Sequence, residues 1–329
     1  MNITVIGDGG WGTAAALLLN SYGHKVTVWG PFPDYLDEIR ARRENPRFLP
    51  GVALPASLGW SGDPAGAVAG AEVVILAVPS KFLGDVCRRF AGLIPGEALT
   101  VSLTKGLCEN THCRMSELAQ DILALEQIAV LSGPSHAEEV ARGIPTAVVA
   151  AAADETLALR VQSLFSGPRF RVYTSTDPLG VEIGGAVKNV IAIAVGASDG
   201  LGFGDNTRAA LITRGLAEVT RFGVALGAVP ATFAGLSGVG DLIVTCTSRH
   251  SRNHTVGERL GRGELIGDIL DSMRMVAEGV WNAKVIHTLG LQHGVEMPIT
   301  DTVHALCHRN LPARDAVESL MSRDAKPES

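Results

Sequence analysis

Aromatic residues are scarce in this chain, at 5% of the total, and features that would tie it to a metal, a membrane or a polyanion are scarcer. Its five cysteines, Cys87, Cys108, Cys113, Cys246 and Cys307, are odd in number and include no CxxC pair, and no histidine stands at zinc-ligand spacing. That argues against a disulfide framework and a structural zinc site, and leaves the reduced thiols of a cytoplasmic protein with no metal. Basic charge is not in excess. With 28 Lys+Arg against 34 Asp+Glu the net charge is −6, which argues against a nucleic-acid or membrane-surface partner. No uncharged apolar run reaches the ~20 residues of a membrane span. The opening "MNITVIGDGG" enters a strand without the basic and apolar regions of a signal peptide. Internal repeats and low-complexity segments are absent too, apart from a polar tail, Ser322 to Ser329, which we expect to fray.

What is present is apolar bulk: 46% hydrophobic and 19% charged residues in a chain of 329, enough for a large core and too long for one domain to be the first expectation. Short β-branched runs read as strands at Ile3 to Gly7, Lys25 to Trp29, Val73 to Val78, Leu99 to Leu103, Ile128 to Ser132 and Thr146 to Ala151. These runs are continuously apolar rather than alternating, the mark of strands covered on both faces, and helical patterns such as Thr13 to Tyr22 and Met115 to Leu125 fall between several of them. After about residue 180 strand signals vanish and long helical segments follow, at Gly185 to Ser198, Thr207 to Leu226, Arg252 to Leu260 and Met275 to Leu289. The expected fold class is therefore α/β. A Rossmann-like, doubly wound, mostly parallel sheet over residues 1–180 precedes an all-helical domain over 181–329.

The first chemical motif is Gly7, Gly9 and Gly12 in "GDGGWGTAAALLL", a G-x-G-x-x-G directly after the first strand and before a helix. Gly7 makes a tight turn, Gly9 lets backbone approach a pyrophosphate, and the helix N-terminus, with Gly10, Trp11 and Gly12, offers N–H groups to the anion. At the end of the second strand an acid would hold a ribose hydroxyl and an arginine a 2′-phosphate. Here "VWGPFPD" puts Gly30 and Pro31 there, which leans towards NAD while leaving Arg40, Arg42 or Arg43 able to meet NADP. Three more turns follow strands at Ser80, Lys105 and "LSGPS", with Gly133 and Ser135, on the edge of a parallel sheet where ligands bind.

The second domain contains a lysine in an almost wholly apolar run, "GGAVKNVIAIAVG". On a helix Lys188 leans back over Gly184 and Gly185, which leave room beside its ammonium, and its own helix face offers no counter-ion. Two readings stay open: a desolvated lysine tuned for proton transfer, or a structural ion pair with a residue such as Glu182 or Asp241. Downstream, Ser251, Arg252 and Asn253 open a helix with a hydroxyl, a guanidinium and an amide, a set suited to a phosphate monoester. His136, His250 and His254 read as surface or packing residues.

Taken together, the segments "GDGGWGTA", "LSGPSHAEEVARGIPTAV", "FRVYTSTDPLGVEIGGAVKNVIAIAVG", "GDNTRAALITRGLAE", "TFAGLSGVGDLIVTCTSRHSRN" and "VAEGVWNAK" resemble bacterial-type NAD(P)-dependent glycerol-3-phosphate dehydrogenase, from Ile3 to about Met321. The resemblance implies reduction of dihydroxyacetone phosphate to sn-glycerol 3-phosphate for phospholipid synthesis, in a cytoplasmic homodimer. It implies that Lys188 transfers the proton, that Lys105, Gly133, Ser135, Asp241, Ser251, Arg252 and Asn253 hold the small phosphate substrate, and that Trp11, Lys105, Ala137, Arg252, Val276 and Glu278 contact the cofactor. Three positions depart from the family pattern: Gly10 for a common serine, Pro31 for a basic residue, and His136 for an aromatic one. The competing readings are a hydroxy-acid dehydrogenase and a non-catalytic dinucleotide sensor.

Overall fold

The computed structural model describes residues 1–273 and 275–324 and divides the chain into two compact units, Met1–Glu182 and Ile183–Ser329. Residues 325–329 of the tail lie outside the described residues.

The first unit is built on an eight-stranded sheet: β1 Asn2–Ile6, β2 Lys25–Trp29, β3 Gly59–Ser61, β4 Val73–Leu76, β5 Leu99–Ser102, β6 Ala129–Ser132, β7 Thr146–Ala151 and β8 Phe170–Ser175. Their spatial order is β3-β2-β1-β4-β5-β6-β7-β8, and every pair is parallel except β6 with β7. Seven helices join the strands: α1 Gly10–Ser21, α2 Pro33–Arg42, α3 Pro64–Val68, α4 Ser80–Phe90, α5 Met115–Leu123, α6 Ala137–Ala141 and α7 Glu155–Phe165. Along one strand Val73 and Ile75 enter one core cluster while Val74 and Leu76 enter another, because successive side chains leave a strand on opposite faces. Both faces of the sheet are thus covered, which is why its central strands are continuously apolar. Between β3 and β4 the chain crosses from one edge to the middle, so the switch point lies beyond the carboxyl ends of β1 and β4.

From α8 onward the described residues contain helices and no strand: α8 Pro178–Gly200, α9 Asp205–Ala225, α10 Asp241–Thr247, α11 Arg252–Gly261, α12 Ile266–Ser272, α13 Glu278–Gln292, α14 Pro298–His308 and α15 Ala313–Met321. The helix α8 is longer than its sequence pattern suggested. At 23 residues it is long and apolar enough to cross a membrane by length and composition, although Glu182, Lys188 and Asp199 interrupt it so that no uncharged run of that length exists; 94% of its apolar window is covered by the protein, as for a core helix. Where α8 meets α11 the helices touch backbone to backbone. A Cβ at Gly196 would stand 2.1 Å from the His254 carbonyl oxygen, one at Gly257 2.0 Å from that of Ile193, and one at Gly261 2.3 Å from that of Ala197. No other residue fits these crossings.

Candidate functional site

The predicted residues fall into two groups, one in each unit. In the first, β1 delivers the chain into the glycine loop, where Gly7 takes φ +122° and a Cβ would lie 2.5 Å from the Ala77 carbonyl oxygen. Only glycine makes this turn beside β4. Gly9 is different: a Cβ there would meet nothing within 4 Å, so the backbone faces open space beside the first turn of α1. Gly12 packs against the Gly7 carbonyl oxygen, 2.1 Å from where its Cβ would be. The departure at Gly10 has a physical reason here, since a Cβ would stand 2.6 Å from the Phe48 carbonyl oxygen. Ala137 adjoins the same point, its Cβ 3.6 Å from that position. Trp11 is half-buried, and its indole Nε1 is buried with no hydrogen-bond partner. An open glycine backbone, a helix N-terminus and an unsatisfied donor fit the pyrophosphate of a dinucleotide.

Beyond β5 and β6 three predicted residues converge. The Lys105 ammonium donates to the Gly133 carbonyl at 3.0 Å, and the Ser135 hydroxyl donates to the same oxygen at 2.9 Å. Gly133 adopts φ +132°, and a Cβ there would stand 3.0 Å from the Val148 α-carbon, so the turn that gathers these groups depends on glycine. Ser80, by contrast, is the first residue of α4 and is buried.

In the second unit Lys188 is 6% exposed on α8. Its Nζ lies 3.3 Å from Asp241 Oδ1 and donates to Thr245 Oγ1 at 2.8 Å and Asn189 Oδ1 at 3.2 Å. Of the two acids considered as ion-pair partners, Asp241 is therefore the one present. Glu182 accepts instead from the Arg114 guanidinium at 2.7 Å and from the Ser116 hydroxyl at 2.6 Å. Burial pushes the Glu182 carboxyl up, and Arg114 and Ser116 hold it back. The room expected above Gly184 is filled: a Cβ there would lie 2.5 Å from the Ser237 carbonyl oxygen. The backbone of residues 237–238 takes the space, and the ammonium reaches α10 instead. Gly238 has φ −94° and ψ −106°, non-helical values that break the chain just before α10 begins at Asp241.

Ser251 caps α11, its hydroxyl accepting from the His254 N–H at 3.2 Å, while Arg252 at the first helical position is exposed. The Asn253 amide donates to Asn189 Oδ1 at 2.9 Å and accepts from the Gly279 N–H at 2.9 Å, which leaves a second N–H for a ligand. A polar chain thus runs from Asp241 through Lys188, Asn189 and Asn253 to the start of α13, where Glu278 is the first residue and Val276 stands two residues before it. Asn189 and Thr245 were missed from sequence. Their signals were a second polar residue beside Lys188 in an apolar helix, and a hydroxyl one turn after Asp241 on the same face. His254 is not a plain surface residue either, since its Nε2 meets Asp199 Oδ2 at 2.7 Å. Among the described residues no group of His, Cys, Asp or Glu could hold a metal ion.

Comparison with known proteins places this arrangement among relatives. The family described as NAD-dependent glycerol-3-phosphate dehydrogenase N-terminus matches residues 2–158, and its C-terminus counterpart matches 177–318. Curated glycerol-3-phosphate dehydrogenases of the NAD(P)+ type are 51% identical over 329 residues in Geobacter sp. strain M21 (99% of this chain, 98% of the relative) and 48% identical over 331 residues in Chlorobium luteolum (100% and 99%). The crystal structure of glycerol-3-phosphate dehydrogenase from Coxiella burnetii superposes with a TM-score of 0.94 at 39% identity, covering 98% of this chain and 99% of that one.

Proposed function

This chain belongs to the NAD-dependent glycerol-3-phosphate dehydrogenase family, and from that premise we propose how its residues divide the reaction. The protein is an NAD(P)-dependent glycerol-3-phosphate dehydrogenase, an oxidoreductase that interconverts dihydroxyacetone phosphate and sn-glycerol 3-phosphate. The reduced nicotinamide, when bound, supplies the hydride. The remaining work is done by this chain's own backbone and side chains. Residues 1–180 carry the dinucleotide on Gly9, Gly10, Trp11, Gly12, Lys105 and Ala137, while Arg252, Val276 and Glu278 contribute to the cofactor from residues 181–329. The substrate is held by Lys105, Gly133, Ser135, Asp241, Ser251, Arg252 and Asn253.

Lys188 delivers the proton to the oxygen that was the carbonyl, and recovers it in the reverse direction. The observation that carries this role is an ammonium 6% exposed, with Asp241 Oδ1 3.3 Å away as counter-charge and Thr245 and Asn189 fixing its direction. A proton donor held in a dry, preorganised site acts without rearranging solvent. Five free cysteines fit the reducing cytoplasm, and the family resemblance adds a homodimer to this reading. The test is loss of reduced-nicotinamide absorbance on adding dihydroxyacetone phosphate to the full chain. Phosphate-dependent loss is expected, with unphosphorylated dihydroxyacetone inert, and no loss with either NADH or NADPH would overturn the assignment.

A further inference from the structure

The dinucleotide sheet lacks the acid expected at the end of β2, where Gly30 follows Trp29. The space above Gly30 is not empty. A Cβ built there would fall 2.5 Å from Asp8 Oδ2 and 2.9 Å from Leu36 Cδ2, so the carboxylate of the glycine loop stands where a β2 side chain would begin. Asp8 is 8% exposed, and its Oδ2 is buried with no hydrogen-bond partner. Its backbone is held firmly, since its carbonyl accepts from the Asn45 amide at 2.8 Å and from Thr13 Oγ1 at 3.5 Å. Burial lifts the Asp8 carboxyl to about 6, resisted by its own N–H and by the charge of Arg47. That guanidinium is engaged elsewhere, stacked 4.1 Å from the Tyr35 ring centroid and 3.7 Å from Glu38. Of the three cations that could meet a 2′-phosphate, Arg40 and Arg42 are paired with Asp37 and Glu38, and Arg43 is exposed at the C-cap of α2.

An acceptor that is buried, unsatisfied and placed at the carboxyl end of β2 wants a donor, and the vicinal hydroxyls of an adenosine ribose are the donors that dinucleotide folds bring there. We propose that Asp8 determines cofactor choice: it takes the place of the missing β2 acid, accepts from the ribose 2′-hydroxyl of NAD, and repels the 2′-phosphate of NADP. The glycine at position 30 is the complement of this arrangement, because any side chain there would displace the carboxylate. The inference rests on the dehydrogenase reading for the identity of its ligand and extends it to specificity.

The experiment is calorimetric binding of NADH, NADPH, ADP-ribose and 2′-phospho-ADP-ribose to the full chain and to Asp8→Asn and Asp8→Ala. The native chain should favour each unphosphorylated ligand by about tenfold or more, and Asp8→Asn should shrink that ratio by about tenfold while keeping the native circular dichroism. Asp8→Asn keeps the shape and removes the charge, so it separates repulsion from packing. A native ratio near one, an unchanged ratio in folded Asp8→Asn, or no binding of either ADP-ribose would overturn the proposal. If the ratio behaves as expected but dihydroxyacetone phosphate is never reduced, the dehydrogenase reading fails and the role of Asp8 in ribose recognition stands.

Discussion

Two opposing energies meet at Lys188. Taking an ammonium out of water costs several kcal/mol, and a carboxylate in the same dry place returns most of it. The pair with Asp241 is therefore a balance, and removing one side exposes the other. For Lys188→Ala we expect turnover to fall by about 10²- to 10⁴-fold, the range for loss of a positioned proton donor, while NADH still binds. The same variant should lose about 3 kcal/mol of stability because Asp241 is left buried and uncompensated. Pairing Lys188→Met with Asp241→Asn removes both charges and should restore the melting temperature without restoring turnover. Steady-state rates, calorimetric NADH titration and thermal melts on the three proteins check this; recovery of rate in the double variant would show that the lysine is structural. The lysine itself was legible in sequence because a charge inside an apolar helix needs an explanation. Its partner was not. Two acids were available, and only the break in the backbone before α10 determines which one the ammonium meets.

At the scale of elements, the central strands were readable and the edge strands were not. Continuous apolar runs marked β1, β2, β4, β5, β6 and β7, but β3 is three residues containing a glycine, and β8 alternates buried and exposed positions because it ends the sheet. The helix pattern likewise gave α8 too short a span, since its first turn carries proline and glycine. Nothing in the pattern announced the crossing of α8 on α11, because a glycine that allows close approach reads the same as one that makes a turn. Gly257→Ala should push the two helices apart, costing about 1–3 kcal/mol and lowering turnover together with stability. A control lies nearby: a Cβ at Gly267 in α12 would meet nothing within 4 Å, so Gly267→Ala should raise stability by about 0.5–1 kcal/mol and leave turnover alone. Denaturant melts of both variants decide the point, and equal effects would refute the crossing.

For the whole molecule, stability against pH sums groups that pull in opposite directions. Asp8, lifted from 3.8 to about 6, and Glu218, lifted by burial from 4.5 to about 7 despite N–H groups of Ile299 and Thr300, hold protons longer folded than unfolded. Their contribution to stability is full at low pH and is lost as pH rises through those windows. His304 does the reverse. Burial, and then the neighbouring His287 and His308, lower it from 6.5 to about 4, and it stacks on His287 with ring centroids 4.2 Å apart. The unfolded chain therefore takes up its proton first, and stability falls as pH drops from 6.5 towards 4. His304→Gln should remove that acid loss and leave a chain more stable near pH 5 than near pH 7 relative to the parent; urea melts across this range test it, and parallel curves would contradict the assignment. None of these opposed shifts was legible in a sequence whose charge is simply mildly acidic, since each depends on what the fold places around the group. The crossing of α8 and α11 has one more consequence. A contact between side chains can drift, each partner changing to suit the other, but the spacing here is a gauge cut in main-chain atoms. Any substitution at Gly196, Gly257 or Gly261 can only widen this gap, and with it the distance between the helices that carry Lys188 and Asn253.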